Sequence, residues 1–244
     1  MRVFSSALFI GTSGWHYDHW KGPFYPRDIQ SDDMLSFYTQ QFLTVEINNS
    51  FYQLPDKGTF ENWRDNTPGG FRFAVKASRY ITHMKKLKDP RQPVSDFMDH
   101  AQHLDEKLGP ILFQLPPNWR VNAERLENFL EVLPEGYRYT FEFRDPSWFD
   151  ARIYEILSEH GVAFCMYHLN QRDSPRQVTA DFIYVRLHGP DGSYQGSYDL
   201  QTLSGWAGAF STWAQQGKDI YCYFNNDQGG YAVKNARQLK EMLE

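Results

Sequence analysis

Glu46 and Asn48 stand two residues apart in Thr44-Val45-Glu46-Ile47-Asn48, and the same spacing returns in Glu142 with Arg144 and in Arg186 with His188. Each pair lies in a short run of apolar residues. Residues two apart in a strand share a face, so each pair projects to one side and its apolar neighbours to the other. A charge at mid-strand is costly to bury unless it is paired. Three such pairs therefore imply a common polar layer in which they meet. Lys76 closes a further alternating strand, and Ser13, Gln114 and Asn225 stand at the ends of three more.

These residue types point to acid/base work on a held anion. Glu46 is the leading candidate for general acid/base, with Glu142 as the second catalytic carboxylate and Lys76 as the third catalytic group. Lys76 is either a point-charge clamp or a nucleophile whose pKa neighbouring cations depress, an effect that Glu46 and Glu142 oppose. Arg144 and Arg186 could supply bidentate forks. Lys76, Arg144 and Arg186 against Glu46 and Glu142 leave a net positive pocket, which favours a phosphate, sulfate or carboxylate. Charge reversal at Arg186 is then expected to abolish ligand binding with the fold intact. The alternative is a purely structural network. Buried ion pairs rarely stabilise more than an apolar core would, so a binding role is the better account.

A metal site is weighed and not favoured. His16, His19, His83 and His188 could contribute with Glu46 or Glu142, but no HExxH-type motif or cysteine cluster is present. The cations would also compete with a metal ion. No cofactor is expected. Gly189, Gly192 and Gly196, and the Gly229-Gly230 pair before a last helix, fit an anion-holding turn, although Asp227 beside the pair would repel an anion. Trp15, Tyr52 and Trp148 are among the aromatics expected in loops after strands, where a sugar or a base could stack on them. Lys85, Lys86 and Lys88 could meet phosphates, although a solvated charge run explains them as well.

The elements that must position these residues alternate along the chain. Strands are expected at Leu8–Ile10, with Val3 onward leading into it, and at 44–48, 71–76, 111–115, 139–144, 162–167, 182–188 and 220–224. Helical patterns lie between most of them, near 32–41, 59–66, 95–108, 123–133, 151–159, 200–216 and 231–243. No clear helix falls between Tyr167 and Ala180. Ser95 reads as a helix cap and Gly109-Pro110 as a stop. Strands alternating with helices imply parallel βαβ units. Eight of them in 244 residues match a (β/α)8 barrel, with an open doubly wound sheet as the alternative. In a barrel, the chemistry collects at the carboxyl ends of the strands.

The totals set outer limits. A net charge of −5 argues against a generally basic nucleic-acid surface. Cys165 and Cys222 lie in apolar runs and read as buried thiols of a reducing compartment. No run approaches the ~18 apolar residues of a membrane span, and no leader-type cleavage site follows Ile10. A cytoplasmic, non-membrane protein is expected.

Several stretches resemble the YecE-like domain-of-unknown-function family. They are Gly11-Thr12-Ser13-Gly14-Trp15, Phe24-Tyr25-Pro26, Val45-Glu46-Ile47-Asn48 with Phe51-Tyr52, Phe71–Ser78, Ile81-Thr82-His83, Phe113-Gln114-Leu115-Pro116-Pro117, Glu142-Phe143-Arg144 with Pro146-Ser147-Trp148, Tyr184–Gly189 and Tyr223–Asp227. They run almost end to end. The resemblance implies an α/β (β/α)8 TIM barrel over a single domain, 1–244, and the missing helical pattern after strand six makes the barrel irregular there. It implies no activity. Likeness to barrel endonucleases keeps a nucleic-acid role in view only as analogy.

The combined expectation is a metal-independent hydrolase, lyase or isomerase acting on a small anionic, sugar-like substrate. Ser13, Trp15, Asn48, Tyr52, His83, Gln114, Arg144, Trp148, Arg186, His188, Asn225 and Asp227 would bind it. A nucleic-acid-processing protein and a non-catalytic ligand sensor are the alternatives. Oligomeric state is left open.

Overall fold

Alternation decides which way each strand of this chain faces. The computed structural model describes residues 6–244, and the Val3–Ser5 part of the expected first strand lies outside them. Strands β1 (Leu8–Ser13), β2 (Thr44–Ile47), β3 (Arg72–Lys76), β4 (Leu108–Gln114), β5 (Tyr139–Glu142) and β6 (Ala163–Leu169) follow one another around a sheet. A two-residue strand β7 (Arg172–Asp173) folds back antiparallel on β6, and β8 (Phe182–Leu187) and β9 (Asp219–Phe224) complete the set. The pairings β9 with β1 and β5 with β6 close eight parallel strands into a (β/α)8 barrel. The open sheet is thereby excluded.

Inside the barrel stand Phe9, Ala74, Leu112, Ala163, Cys165, Tyr184, Tyr221 and Tyr223. The residues between them, such as Ile10, Val45, Phe73, Ile111, Phe141 and Val185, face outward and pack under the helices. Burial on both faces is what a parallel sheet requires. Small residues inside make room for tyrosines. Gly11 is needed for a further reason: a Cβ there would lie 2.3 Å from the carbonyl oxygen of Thr44. At that seam the Tyr38 hydroxyl bridges the two strands, accepting from the Thr12 N–H and donating to the Thr44 carbonyl, each at 3.0 Å.

The helices are α1 (Met34–Thr39), α2 (Asn49–Tyr52), α3 (Lys57–Asp65), α4 (Arg91–Ala101), α5 (Ala123–Leu130), α6 (Ala151–Glu159), α7 (Leu200–Gln215) and α8 (Tyr231–Leu243). Side chains of Asp56, Asn122, Asp150 and Asp199 cap α3, α5, α6 and α7.

The expected helix 95–108 is corrected. It starts at Arg91, because Pro93 is tolerated in a first turn, and it gives way to a 3-10 stretch at Gln102–Lys107. Leu108-Gly109-Pro110 is strand rather than helix stop. The β3–β4 register shifts between Phe73 and Val75, opposite Gly109-Pro110. An irregular pairing is where a residue without an N–H fits in a sheet. The Tyr52 loop begins as the short helix α2, and the loop after β3 contains a π turn at Tyr80–Met84. Between β6 and β8 there is no helix, as the sequence implied. The chain reverses through Asn170 and Gln171, both at positive φ, into β7.

Candidate functional site

Glu46, at the carboxyl end of β2, is fully buried with both oxygens engaged. Ser13 Oγ donates to Oε1 at 2.6 Å and Tyr184 donates its phenolic proton to Oε2 at 2.6 Å. Arg186 grips the same carboxylate with a fork, Nη2 to Oε1 at 2.8 Å and Nε to Oε2 at 3.0 Å. Strand spacing explains the set. Ser13 pairs in register with Glu46 on the neighbouring strand. Tyr184 and Arg186 stand two apart on β8, on one inward face.

Arg186 reaches across to a second carboxylate. Its Nη1 donates to Glu142 Oε2 at 2.8 Å, and its Nη2 lies 3.5 Å from Asn48 Oδ1. Burial works against its charge, but Glu46 and Glu142 outweigh that cost and hold its pKa well above the ordinary value. Arg144 donates Nε to Glu142 Oε1 and leans on the Tyr167 ring, 4.8 Å from its centroid. Burial would raise the Glu142 carboxyl, yet Arg144 and Arg186 keep it well below the usual carboxylate range.

Burial, Arg186 and Arg144 together push the buried His188 ring well below its usual pKa, so it is neutral. Its Nε2 lies 3.1 Å from Arg144 Nη2, and its Nδ1 lies 3.2 Å from the Asn225 amide. A guanidinium can only donate, so Nε2 is the acceptor and Nδ1 carries the proton. It follows that the Asn225 group facing Nδ1 is its carbonyl oxygen.

Lys76, at the end of β3, is different in kind. It is part-buried, and among the described residues no side-chain oxygen accepts a hydrogen bond from its amine. Nζ lies instead over the Phe51 ring, 4.1 Å from the centroid. The edge of His83 packs on the same ring at 5.0 Å between centroids. Burial, with Arg186 next in size, pushes Lys76 down to about 7. Burial and the positive Lys76 and Arg79 push His83 down to about 4. Glu142 and Glu46 oppose the depression as expected but do not outweigh it, and both are paired with arginine. Arg186 and Arg144 cancel Glu46 and Glu142, so the charge of the mouth is set by Lys76.

The strand pairs meet as the two-residue spacing implied. Ser13, Glu46, Asn48, Glu142, Arg144, Arg186, His188 and Asn225 form one network. Gln114 ends β4 opposite Glu142, part-buried. Four other candidates lie outside this network. Trp148 is fully buried behind the barrel wall, stacked on Phe143 at 4.8 Å and donating Nε1 to the Trp119 carbonyl. Tyr52 points away, 74% exposed. Asp227 sits before α8, 3.5 Å from His19 Nε2, with burial raising its pKa. Trp15 is largely buried beside Trp63, and both line a cleft next to the mouth. Among the described residues, no three or more His, Cys, Asp or Glu side chains gather as a metal site. No described helix is long and apolar enough to cross a membrane. The Gly189 N–H, a candidate anion donor, is taken by the Tyr198 hydroxyl at 2.9 Å.

The sequence reading missed Tyr184 and a cleft. Tyr184 was legible in principle, being two residues before Arg186. The cleft, about 950 Å³, opens beside the mouth between the β1–α1 connection, α2 and α3. Asn48 lines it and also touches Arg186, so the cleft and the mouth share one side chain.

The depressed Glu142 carboxyl makes stability acid-sensitive. A carboxylate lowered in the folded state contributes above its unfolded pKa, here 4.5, and that contribution is lost as pH falls below it. Thermal unfolding below pH 4.5 should therefore steepen with acid. In Glu142→Gln the slope should be shallower by up to about 1.4 kcal/mol per pH unit, the share of one proton. An unchanged acid slope would contradict the assignment.

The family model for a protein of unknown function, DUF72, matches residues 9–244. The chain is 28% identical over 97% of its length to the UPF0759 protein YunF of Bacillus subtilis, covering 95% of that protein. It is 29% identical to the UPF0759 protein YecE of Escherichia coli over 58% of this chain and 50% of that one. A DUF72 family protein from Thermotoga maritima superposes with a TM-score of 0.88 at 30% identity, over 97% of this chain and 99% of that one. The chain belongs to the DUF72 family, as its motifs implied.

Proposed function

We propose that this DUF72 family chain is an enzyme acting on a small anionic, sugar-like carbonyl compound at the barrel mouth, with Lys76 as its reactive amine. One observation carries the reading: a part-buried lysine at the carboxyl end of a barrel strand whose amine lies over the Phe51 ring and, among the described residues, has no carboxylate partner, with burial drawing its pKa down. A neutral Nζ can attack a carbonyl carbon. Loss of water then gives a protonated imine, which draws electrons from the adjacent carbon and eases loss of a proton or cleavage of a carbon–carbon bond there. That chemistry belongs to a lyase or an isomerase.

The other residues take supporting roles. Arg144 keeps Nη1 without a partner among the described residues, so it can hold the anion. Gln114 and the Asn48 amide nitrogen are likewise free to orient the substrate. Glu46 has both oxygens engaged by Ser13, Tyr184 and Arg186, so it is not free for the acid/base role expected of it; His83, unprotonated and packed on the same Phe51 ring as Lys76, is the base that would take the proton. Glu46 and Glu142 fix Arg186, and Arg186 helps depress Lys76. The nucleic-acid reading draws support from the exposed Tyr52 and Tyr80. It is weakened by Lys85, which pairs with Asp89 at 3.4 Å. Tight binding without turnover would turn the same pocket into a sensor.

The test is competitive acetylation with acetic anhydride between pH 5 and 11, read peptide by peptide by mass spectrometry. Lys76 should gain reactivity with a midpoint near pH 7, far below the 10.5 of an ordinary lysine. A midpoint above 9 would leave it a fixed cation and remove the reading.

A further inference from the structure

We infer that the cleft beside the mouth binds a neutral polyhydroxylated ring, either a free sugar or the ribose of a nucleoside. The chemistry of its wall carries the inference. Asn48, Asn49 and Asn62 line it, and their amide nitrogens have no partner among the described residues. Asn62 Oδ1 does accept from Asn66 Nδ2 at 2.8 Å, which holds that side chain in place on α3. Exposed Asp32 and Asp33, just before α1, supply acceptors in the same lining. No lysine or arginine lines the cleft.

His16, Tyr17, Ser31 and Ser36 share the lining, and a wall of amides, hydroxyls and two carboxylates without a lysine or arginine disfavours anions and matches hydroxyl groups, each of which both donates and accepts. Trp15 and Trp63 add apolar surface, set edge to face at 5.1 Å. The C–H faces of a sugar ring pack on such surface. At about 950 Å³ the cleft is at the upper end of small-molecule sites, so the ring can carry an extension. Asn48 stands at the junction with the mouth. A ligand seated in the cleft can therefore reach the Lys76 region with its charged or carbonyl end. Assigning ring and reacting end to one substrate rests on the proposed function. The ring site itself does not.

The experiment is saturation-transfer NMR on the intact chain with ribose, glucose, N-acetylglucosamine, adenosine, uridine and glucosamine, each followed by titration. At least one neutral ring should bind, and its affinity should fall tenfold or more in Asn49→Ala and in Asn62→Ala. Both side chains are exposed, so the variants should keep the wild-type melting temperature. Binding by adenosine and uridine but not glucose would assign a nucleoside; the reverse would assign a glycosyl group. Binding should persist in Lys76→Met, which separates this site from the amine. If that variant binds normally while Lys76 fails the acetylation test, the cleft stands and the mouth reading falls. Three results would overturn the inference: no neutral ring bound, binding indifferent to both asparagines, or glucosamine bound in place of its neutral relatives.

Discussion

Arg186→Met should lower the stability of the barrel by roughly 3–5 kcal/mol or more, because it strands two buried carboxylates. At roughly 2–4 °C per kcal/mol for a chain of this size, the melting temperature should fall by about 6–20 °C. Arg186 donates to Glu46 through Nε and Nη2 and to Glu142 through Nη1, and all three side chains are buried. Ser13 and Tyr184 would still satisfy part of Glu46, and Arg144 part of Glu142. Two negative charges would nevertheless remain with one arginine. This revises the expectation that Arg186 could be reversed in charge with the fold intact. The pH dependence provides an internal check. Without Arg186 both carboxyls should titrate at higher pH, so the loss should shrink as pH falls and they become neutral. Adding Glu46→Gln should recover much of the stability at pH 7. A melting temperature within 2 °C of wild type would show that the network is dispensable.

The polar layer was legible in the sequence and its economy was not. Spacing alone placed Glu46, Asn48, Glu142, Arg144, Arg186 and His188 on inward faces, because a strand has a strict period of two. Closure of the barrel decides what each then meets. β2, β5 and β8 are not neighbours in the sheet, yet Arg186 joins them across the interior. No spacing rule counts how many donors a carboxylate receives there. Counting charges along the chain suggested an arginine free for ligand; the geometry commits Arg186 to protein carboxylates and leaves Lys76 over. Trp148 shows a second limit. Its position after β5 suits both a binding loop and the outer wall, and the stacking on Phe143, itself one residue past Glu142 and facing outward, decides for the wall. Gly109-Pro110 is a third case. Local preference made it a helix stop, while the irregular register between β3 and β4 accommodates it in a strand.

Lys76→Met should stabilise the protein at pH 7, by roughly 2–4 kcal/mol, while abolishing any turnover. A folded-state pKa near 7, against 10.5 unfolded, means that folding costs this amine its proton or its hydration. A shift of that size corresponds to several kcal/mol, and the part-buried position calls for a smaller figure. The sign follows from proton binding. Between about pH 7 and 10.5 the unfolded chain holds more protons at this site than the folded one, so wild-type stability rises with pH across that window. Methionine has no proton to lose, and it can keep the contact with Phe51 through its thioether. The advantage of the variant should therefore be largest at pH 7 and below and should fade toward pH 10. Urea unfolding at several pH values measures it. A variant less stable than wild type at pH 7 would mean that the ammonium is well solvated or paired, and the reading of the mouth would fail with it. A gain in stability joined to a loss of function is what a residue kept for its chemistry should show. A lysine kept for the fold should show the reverse.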